Sequence, residues 1–302
     1  MSKKPRSSKA PARSPRRANS LDGKRWIQNS ISVWSDIRKS PEELRLKHPA
    51  MFPAALAARL IESFLPVGRH LVLDPFAGTG STLVAAEQLG KQGIGLELSP
   101  EFVAKAQTRL MLPRAGRDPA EAARYADAKS QSRLPFESSA RVALHNTSAC
   151  DLLNYVAESS IDLCVTSPPY WDILNQKRTA DAKAVRHYGN LEHDLGTISD
   201  YGDFLTALTA IFADVLRVLK PGAHCCVVVM DLRKKNRFYP FHSDLATRLQ
   251  DAGYEFDDLI IWNRQSEYNN LRPLGYPAVF RVNKVHEFVL LMRKPLENLR
   301  ST

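Results

Sequence analysis

Two short runs hold the residue types best suited to chemistry. The first is Asp74-Pro-Phe-Ala-Gly-Thr-Gly-Ser-Thr82 and the second is Thr166-Ser-Pro-Pro-Tyr-Trp171. In the first, Gly78 and Gly80 carry no side chain, so a ligand can approach the backbone closely. It is not a phosphate loop, because no Gly-Lys-Ser/Thr ending follows. A dinucleotide site would want a third glycine, and Ser81-Thr82-Leu83 offers none. Asp74, Phe76, Gly78, Gly80 and Ser81 are the residues expected to line this turn.

Acids around that turn indicate the kind of ligand. Glu97 stands 23 residues after Asp74 at the end of an apolar run, where a carboxylate can accept hydrogen bonds from both hydroxyls of a ribose. Asp74 is placed to hold a cationic amino-acid head. Asp151 is placed to meet an adenine amino group, or alternatively to cap the helix that follows it. Acids suit a cofactor that brings positive charge and no phosphate. That description fits S-adenosylmethionine and does not fit NAD.

In the second run two prolines hold the backbone extended, so the Ser167 hydroxyl and the Pro168 carbonyl face one way. Two acceptors on one amino group would aim its lone pair at an incoming methyl carbon. An exocyclic base amine needs this help because its lone pair is delocalised into the ring. Tyr170 can stack on a base flipped out of its helix. Ser167, Pro168, Pro169 and Tyr170 are therefore the candidate catalytic residues, and Thr166 joins the candidate cofactor set. The plainer alternative is an ordinary turn at the end of a strand.

Both runs need strands that end at one edge. From residue 50 onward strand-like and helical runs alternate, which predicts a parallel sheet covered on both faces. Strands are expected at His70–Asp74, Gln92–Leu98, Arg141–Asn146, Ile161–Thr166, Ala223–Asp231, Glu255–Asn263 and Val285–Arg293. Helices are expected at Ser81–Leu89, Pro100–Leu110, Tyr201–Leu219 and Ser243–Ala252, the third stopped by Lys220-Pro221-Gly222. The fold class is thus α/β, a doubly wound, mostly parallel seven-stranded sheet. Residues 26–302 form one domain, with insertions near 111–140, 171–199 and 264–283.

The chain has 302 residues and a net charge of +10. Residues 1–25 hold nine Lys/Arg against Asp22 alone, a net +8, and read as a disordered basic arm suited to phosphate contacts. A solubilising tail is the bland alternative. Cys150, Cys164, Cys225 and Cys226 lack metal-ligand spacing, and no metal site is expected. No run of 18 apolar residues is present, so a soluble, cytoplasmic protein without a membrane partner is expected.

Together the two runs resemble the amino-methyltransferases of DNA, the cytosine-N4 and adenine-N6 enzymes. Lys47-His48-Pro-Ala-Met-Phe-Pro53 ahead of an amphipathic helix resembles a segment flanking that family's cofactor, and His286–Lys294 resembles its terminal strand. The resemblance spans roughly residues 27–295. It implies a Rossmann-like methyltransferase fold with an antiparallel final strand and S-adenosylmethionine as cofactor. It implies cofactor contacts from Asp74 and Glu97, and a target base held by Ser167, Pro168, Pro169 and Tyr170. DNA is the implied partner, with a cognate restriction nuclease as a further one. Here the cofactor run comes first, whereas many members with the His-Pro…Phe-Pro segment have the opposite order. Recognition is expected from the 111–140, 171–199 and 264–283 segments or from a partner. Ser rather than Asp before the Pro-Pro pair resembles the cytosine enzymes, and adenine N6 is the alternative. An RNA base methyltransferase and a catalytically silent nucleic-acid-binding protein are the more distant readings.

Overall fold

The computed structural model describes residues 17–46, 51–111, 142–171, 193–234, 236–267, 278 and 281–296. Among them, α1 (Gly23–Asn29), β1 (Val33–Trp34), α2 (Pro41–Arg45) and α3 (Ala54–Phe64) precede the alternating region. Then come β2 (Leu71–Asp74), α4 (Ser81–Gln88), β3 (Gln92–Glu97), α5 (Pro100–Met111), β4 (Val142–Asn146) and β5 (Ile161–Thr166). The last part holds α6 (Tyr201–Val218), β6 (Leu219–Val229), β7 (Leu232–Lys234), β8 (Arg237–Tyr239), α7 (Phe241–Asp251), β9 (Glu255–Asn263) and β10 (His286–Arg293).

Eight strands form one sheet in the order β1-β9-β10-β6-β5-β2-β3-β4. The pairs β3–β4, β2–β3, β2–β5 and β5–β6 are parallel, and β10 runs antiparallel to both β6 and β9. This is the expected doubly wound α/β sheet with its antiparallel last strand. It has one strand more than expected. The addition is β1, two residues long and parallel to β9, too short to show a period of two. It is held by burial of Trp34, whose indole N–H donates to the Asn29 carbonyl at 3.2 Å.

All six residues of β5 are buried, as a central strand covered on both faces requires. One face packs Phe204, Phe212 and Phe241 of α6 and α7. The other packs Leu56 and Leu60 of α3, Leu83 of α4, and Trp34 and Trp262. The amphipathic reading of α3 holds, with Leu56, Ala57, Leu60 and Ile61 inward. Lys220-Pro221-Gly222 ends α6 as expected, but these residues also begin β6. Gly95 in β3 is required by the close approach of α4, since a Cβ there would meet Leu83 Cδ1 at 2.8 Å and Ala77 Cβ at 3.0 Å.

The expected disorder over residues 1–25 is corrected at its end. Leu21 is buried, Asp22 caps α1, and the Asn19 amide donates to the Ser63 carbonyl at 2.9 Å. Burial of Leu21, the Asp22 cap and bonds from this stretch to Ser63, Val67 and Glu62 hold it despite its charge. Residues 1–16 lie outside the described residues, as do 47–50 and most of the 111–140, 171–199 and 264–283 segments. Cys164, Cys225 and Cys226 are buried in strands, and Cys150 is exposed. Among the described residues, no helix is long and apolar enough to cross a membrane.

Candidate functional site

The chain runs from β2 outward to β3 and β4, then returns to β5 on the other flank of β2. Strand order therefore reverses between β2 and β5, and a crevice opens at their carboxyl ends. Asp74 ends β2 and Thr166 ends β5. The two sequence runs meet there, the Thr166 hydroxyl donating to Asp74 Oδ1 at 2.6 Å.

Asp74 is 1% exposed. Its Oδ1 also accepts the Phe76 amide at 3.1 Å, bending the chain into the turn. Burial pushes its carboxyl up to about 6, against the lowering effect of the Thr166 and Thr82 hydroxyls and the Phe76 amide. Asp74, the acid expected to hold a cationic amino-acid head, thus has its Oδ1 engaged within the chain. Asp74 lies beneath the turn and fixes its shape. Thr166 is wholly buried and spends its hydroxyl on Asp74. Phe76 is half-buried and lies 6.4 Å from the Phe212 ring.

Gly78 and Gly80 both have positive φ, +53° and +79°, a region closed to most side chains. Gly80 caps α4, and a Cβ there would meet Ala106 Cβ of α5 at 3.0 Å. Ser81 points inward: its hydroxyl accepts from Arg109 Nη1 at 3.1 Å. The same nitrogen donates to the Thr79 carbonyl at 2.7 Å, and Nη2 donates to Glu43 Oε1 at 2.9 Å. Arg109 and Glu43 are 2% and 5% exposed. This buried pair ties the glycine turn to α5 and α2.

Glu97 ends β3 beside the turn. Its Oε2 accepts the Gly78 amide and its Oε1 the Ser99 amide, each at 2.8 Å. Burial pushes its carboxyl up to about 7, with Asp74 and Asp194 adding to the rise and the two amides opposing it. Asp151 follows β4 in the 3₁₀ helix Ala149–Asn154, half-buried, and accepts the Thr147 hydroxyl at 2.8 Å. Ser148, not Asp151, caps that helix. Three acids thus stand at the ends of three neighbouring strands, and the turn's one buried arginine is already paired with Glu43. Carboxylates at this edge suit the hydroxyls, amine and positive charge of a sulfonium-bearing nucleoside.

On the β5 side Pro168 is buried, and Ser167, Pro169 and Tyr170 are half-buried. The Tyr170 hydroxyl lies 3.1 Å from Ser167 Oγ and donates to Glu287 Oε2 at 3.1 Å. Its ring meets Phe241 edge-on at 6.2 Å. Burial and the neighbouring Glu287 carboxylate raise the phenol well above its usual range, so it stays protonated and donating. Glu287 is 6% exposed and pairs with Arg264. Because β10 is antiparallel, its first residues arrive at the same edge as the ends of β2 and β5. Lys39 stands near this pair, its ammonium pushed down by burial and by Arg264.

The family model described as DNA methylase matches residues 2–108 and 161–300. The chain belongs to the DNA methylase family. Both runs of the site lie inside the matched segments. Among curated relatives, the type II methyltransferase M.ScaI of Streptomyces caespitosus is 34% identical over 89 residues, 28% of this chain and 29% of that one. M.MthZI of Methanothermobacter thermautotrophicus is 40% identical over 83 residues, 26% of this chain and 23% of that one. The matches therefore span less than a third of these relatives. TTHA0409 of Thermus thermophilus, solved with S-adenosyl-L-methionine, is 28% identical, with 51% of this chain and 54% of that chain covered and a TM-score of 0.35.

Glu43, Arg109 and Glu287 are the members of the site that motif reading missed, while Arg264 stands in the 264–283 segment from which recognition was expected. Their partners lie 66 and 23 residues away along the chain. Glu287 carried the one readable signal, an acid inside an apolar strand.

Proposed function

We propose that the chain transfers a methyl group from S-adenosylmethionine to the exocyclic amine of a DNA base, with cytosine N4 the preferred target. The observation that carries this reading is the Thr166–Asp74 hydrogen bond at the point where strand order reverses. It joins a turn fitted to a sulfonium nucleoside to a loop fitted to a flat amine. Membership of the DNA methylase family and relatives named as type II methyltransferases support it.

In this reading Glu97 accepts the ribose hydroxyls and Asp151 the adenine amine. Gly78 and Gly80 leave room for the backbone to approach, and Asp74, Phe76, Ser81 and Thr166 hold the turn in shape. The bound cofactor supplies an electrophilic methyl carbon. The Pro168 carbonyl and the Ser167 hydroxyl accept the two amine hydrogens, which turns the nitrogen lone pair out of the ring. Pro169 keeps the loop extended, and Tyr170 stacks on the base. The nitrogen lone pair would form the new N–C bond as the methyl–sulfur bond breaks to leave a neutral thioether, and the proton shed by the amine would pass to solvent. A hydroxyl can also donate to a ring nitrogen, which a carboxylate cannot; adenine offers such a nitrogen too, so the preference for cytosine rests on Ser167 standing where most adenine enzymes have Asp. Chromatography of the methylated nucleosides should give N4-methylcytosine; N6-methyladenine as sole product would reverse the choice of base.

Glu97→Ala should weaken S-adenosylmethionine binding by about 1.5–3 kcal/mol, the value of a hydrogen bond to a charged group. The ionised carboxylate is the better acceptor, so affinity should rise with pH through about 7. Asp74, the neighbouring acid, titrates at about 6 and adds to the lower part of that rise. Calorimetry checks both. Unchanged affinity in Glu97→Ala, or a rise in affinity through about pH 7 that persists in Glu97→Gln, would remove Glu97 from the site.

A further inference from the structure

The strands β7 and β8 form a separate two-stranded ribbon directly after β6, on the edge of the sheet where the site lies. Its root is fixed: Leu232 is 1% exposed, and Tyr239 opposite it packs 5.1 Å from Trp171 and 4.7 Å from Tyr201. Trp171 is the next residue after Tyr170, so the ribbon stands beside the base loop. The described ribbon residues include Arg233, Lys234 and Arg237 and no acid.

These cations sit on rings. Arg233 lies over Phe238 at 5.6 Å, Arg237 over Tyr239 at 4.9 Å, and Lys234 over Trp171 at 3.8 Å. Lys284, from the approach to β10, also lies over Phe238, at 4.2 Å. Arg233 and Arg237 are exposed, and so is Phe238 at 40%. A guanidinium stacked on a ring keeps its N–H edge turned outward, in the fork that matches a phosphate. Stacking also fixes rotamers in advance, which lowers the entropy lost on binding.

We infer that the β7–β8 ribbon grips the phosphate backbone of duplex DNA beside the nucleotide being modified. The inference rests on the proposed DNA activity. A base stacked on Tyr170 brings its own strand's phosphates to within about a nucleotide of Trp171, and among the described residues the ribbon is a cationic element beside it. Phosphate contacts of this kind set register and add affinity without reading sequence.

The test uses the full chain, mixed-sequence duplex DNA and the Arg233→Gln/Arg237→Gln variant. DNA affinity is measured against salt concentration, alongside a titration with S-adenosylmethionine. The slope of log affinity against log salt is expected to fall by about 2, roughly 1 for each phosphate no longer neutralised. Cofactor affinity should stay at the wild-type value, which also verifies folding. Arg233→Gln alone, at an exposed position, should lower the slope by about 1. An unchanged slope in both variants, with wild-type chain binding and methylating DNA, overturns the ribbon's role. So does a slope change seen on duplex RNA but not on DNA. Wild-type chain that binds cofactor but neither binds nor methylates DNA would instead overturn the proposed activity.

Discussion

Replacing Arg109 by methionine is expected to lower folding stability by about 3–5 kcal/mol, because it removes one partner of a buried ion pair. The Glu43 side chain is 4% exposed, and water cannot replace the guanidinium. Among the described residues its two oxygens would keep backbone donors, Ser40 at 2.9 Å and Ala54 at 2.7 Å. The Thr79 carbonyl and the Ser81 hydroxyl would lose a donor as well, so the turn should loosen and cofactor affinity should fall with stability. Neutralising the partner too, in Arg109→Met/Glu43→Gln, should recover part of the loss. Urea unfolding with a common slope reads all three proteins. A loss under about 1 kcal/mol in the single variant would mean that the pair contributes no more than a surface one.

Tyr170→Ala should have the larger effect on catalysis, a fall of about 100-fold or more in methyl transfer. Two causes combine. Loss of base–aromatic stacking is worth about 1–3 kcal/mol. Release of the Ser167 hydroxyl, held 3.1 Å from the phenol, misplaces an acceptor in a reaction that depends on sub-ångström positioning. The Tyr170 hydroxyl also reaches Glu287, so Tyr170→Phe should show an intermediate loss, from positioning alone. S-adenosylmethionine affinity should be retained in both, because Tyr170 lies on the β5 side, away from the three acids. Single-turnover rates and calorimetry separate these effects. Equal loss of cofactor affinity and rate would place Tyr170 in the wrong half of the site.

The main strands and their order of appearance were legible because each holds a cluster of apolar residues: Ile161–Thr166 and Glu255–Asn263 match their expected bounds at both ends. The edge strand Val33–Trp34 was not, since two residues carry no periodicity. Residues 18–25 were misjudged because charge outweighed one apolar anchor, Leu21. Within the site, motif spacing brought Asp74, Glu97, Asp151 and the Ser-Pro-Pro-Tyr loop to one edge. What it did not disclose was orientation. Asp74 and Ser81 face inward, towards Thr166 and Arg109, because burial and partner choice are tertiary properties. Arg109 and Glu287 were missed for the same reason, as each acts through a residue distant in the chain.

The central claim is tested most directly by incubating the full chain with DNA and methyl-labelled S-adenosylmethionine, then digesting the DNA and identifying the labelled nucleoside by mass spectrometry. The expected result is label on an exocyclic nitrogen, as N4-methylcytosine, and its loss in Tyr170→Ala. Label on a ring carbon, or unlabelled DNA from a chain that binds the cofactor, would contradict the account.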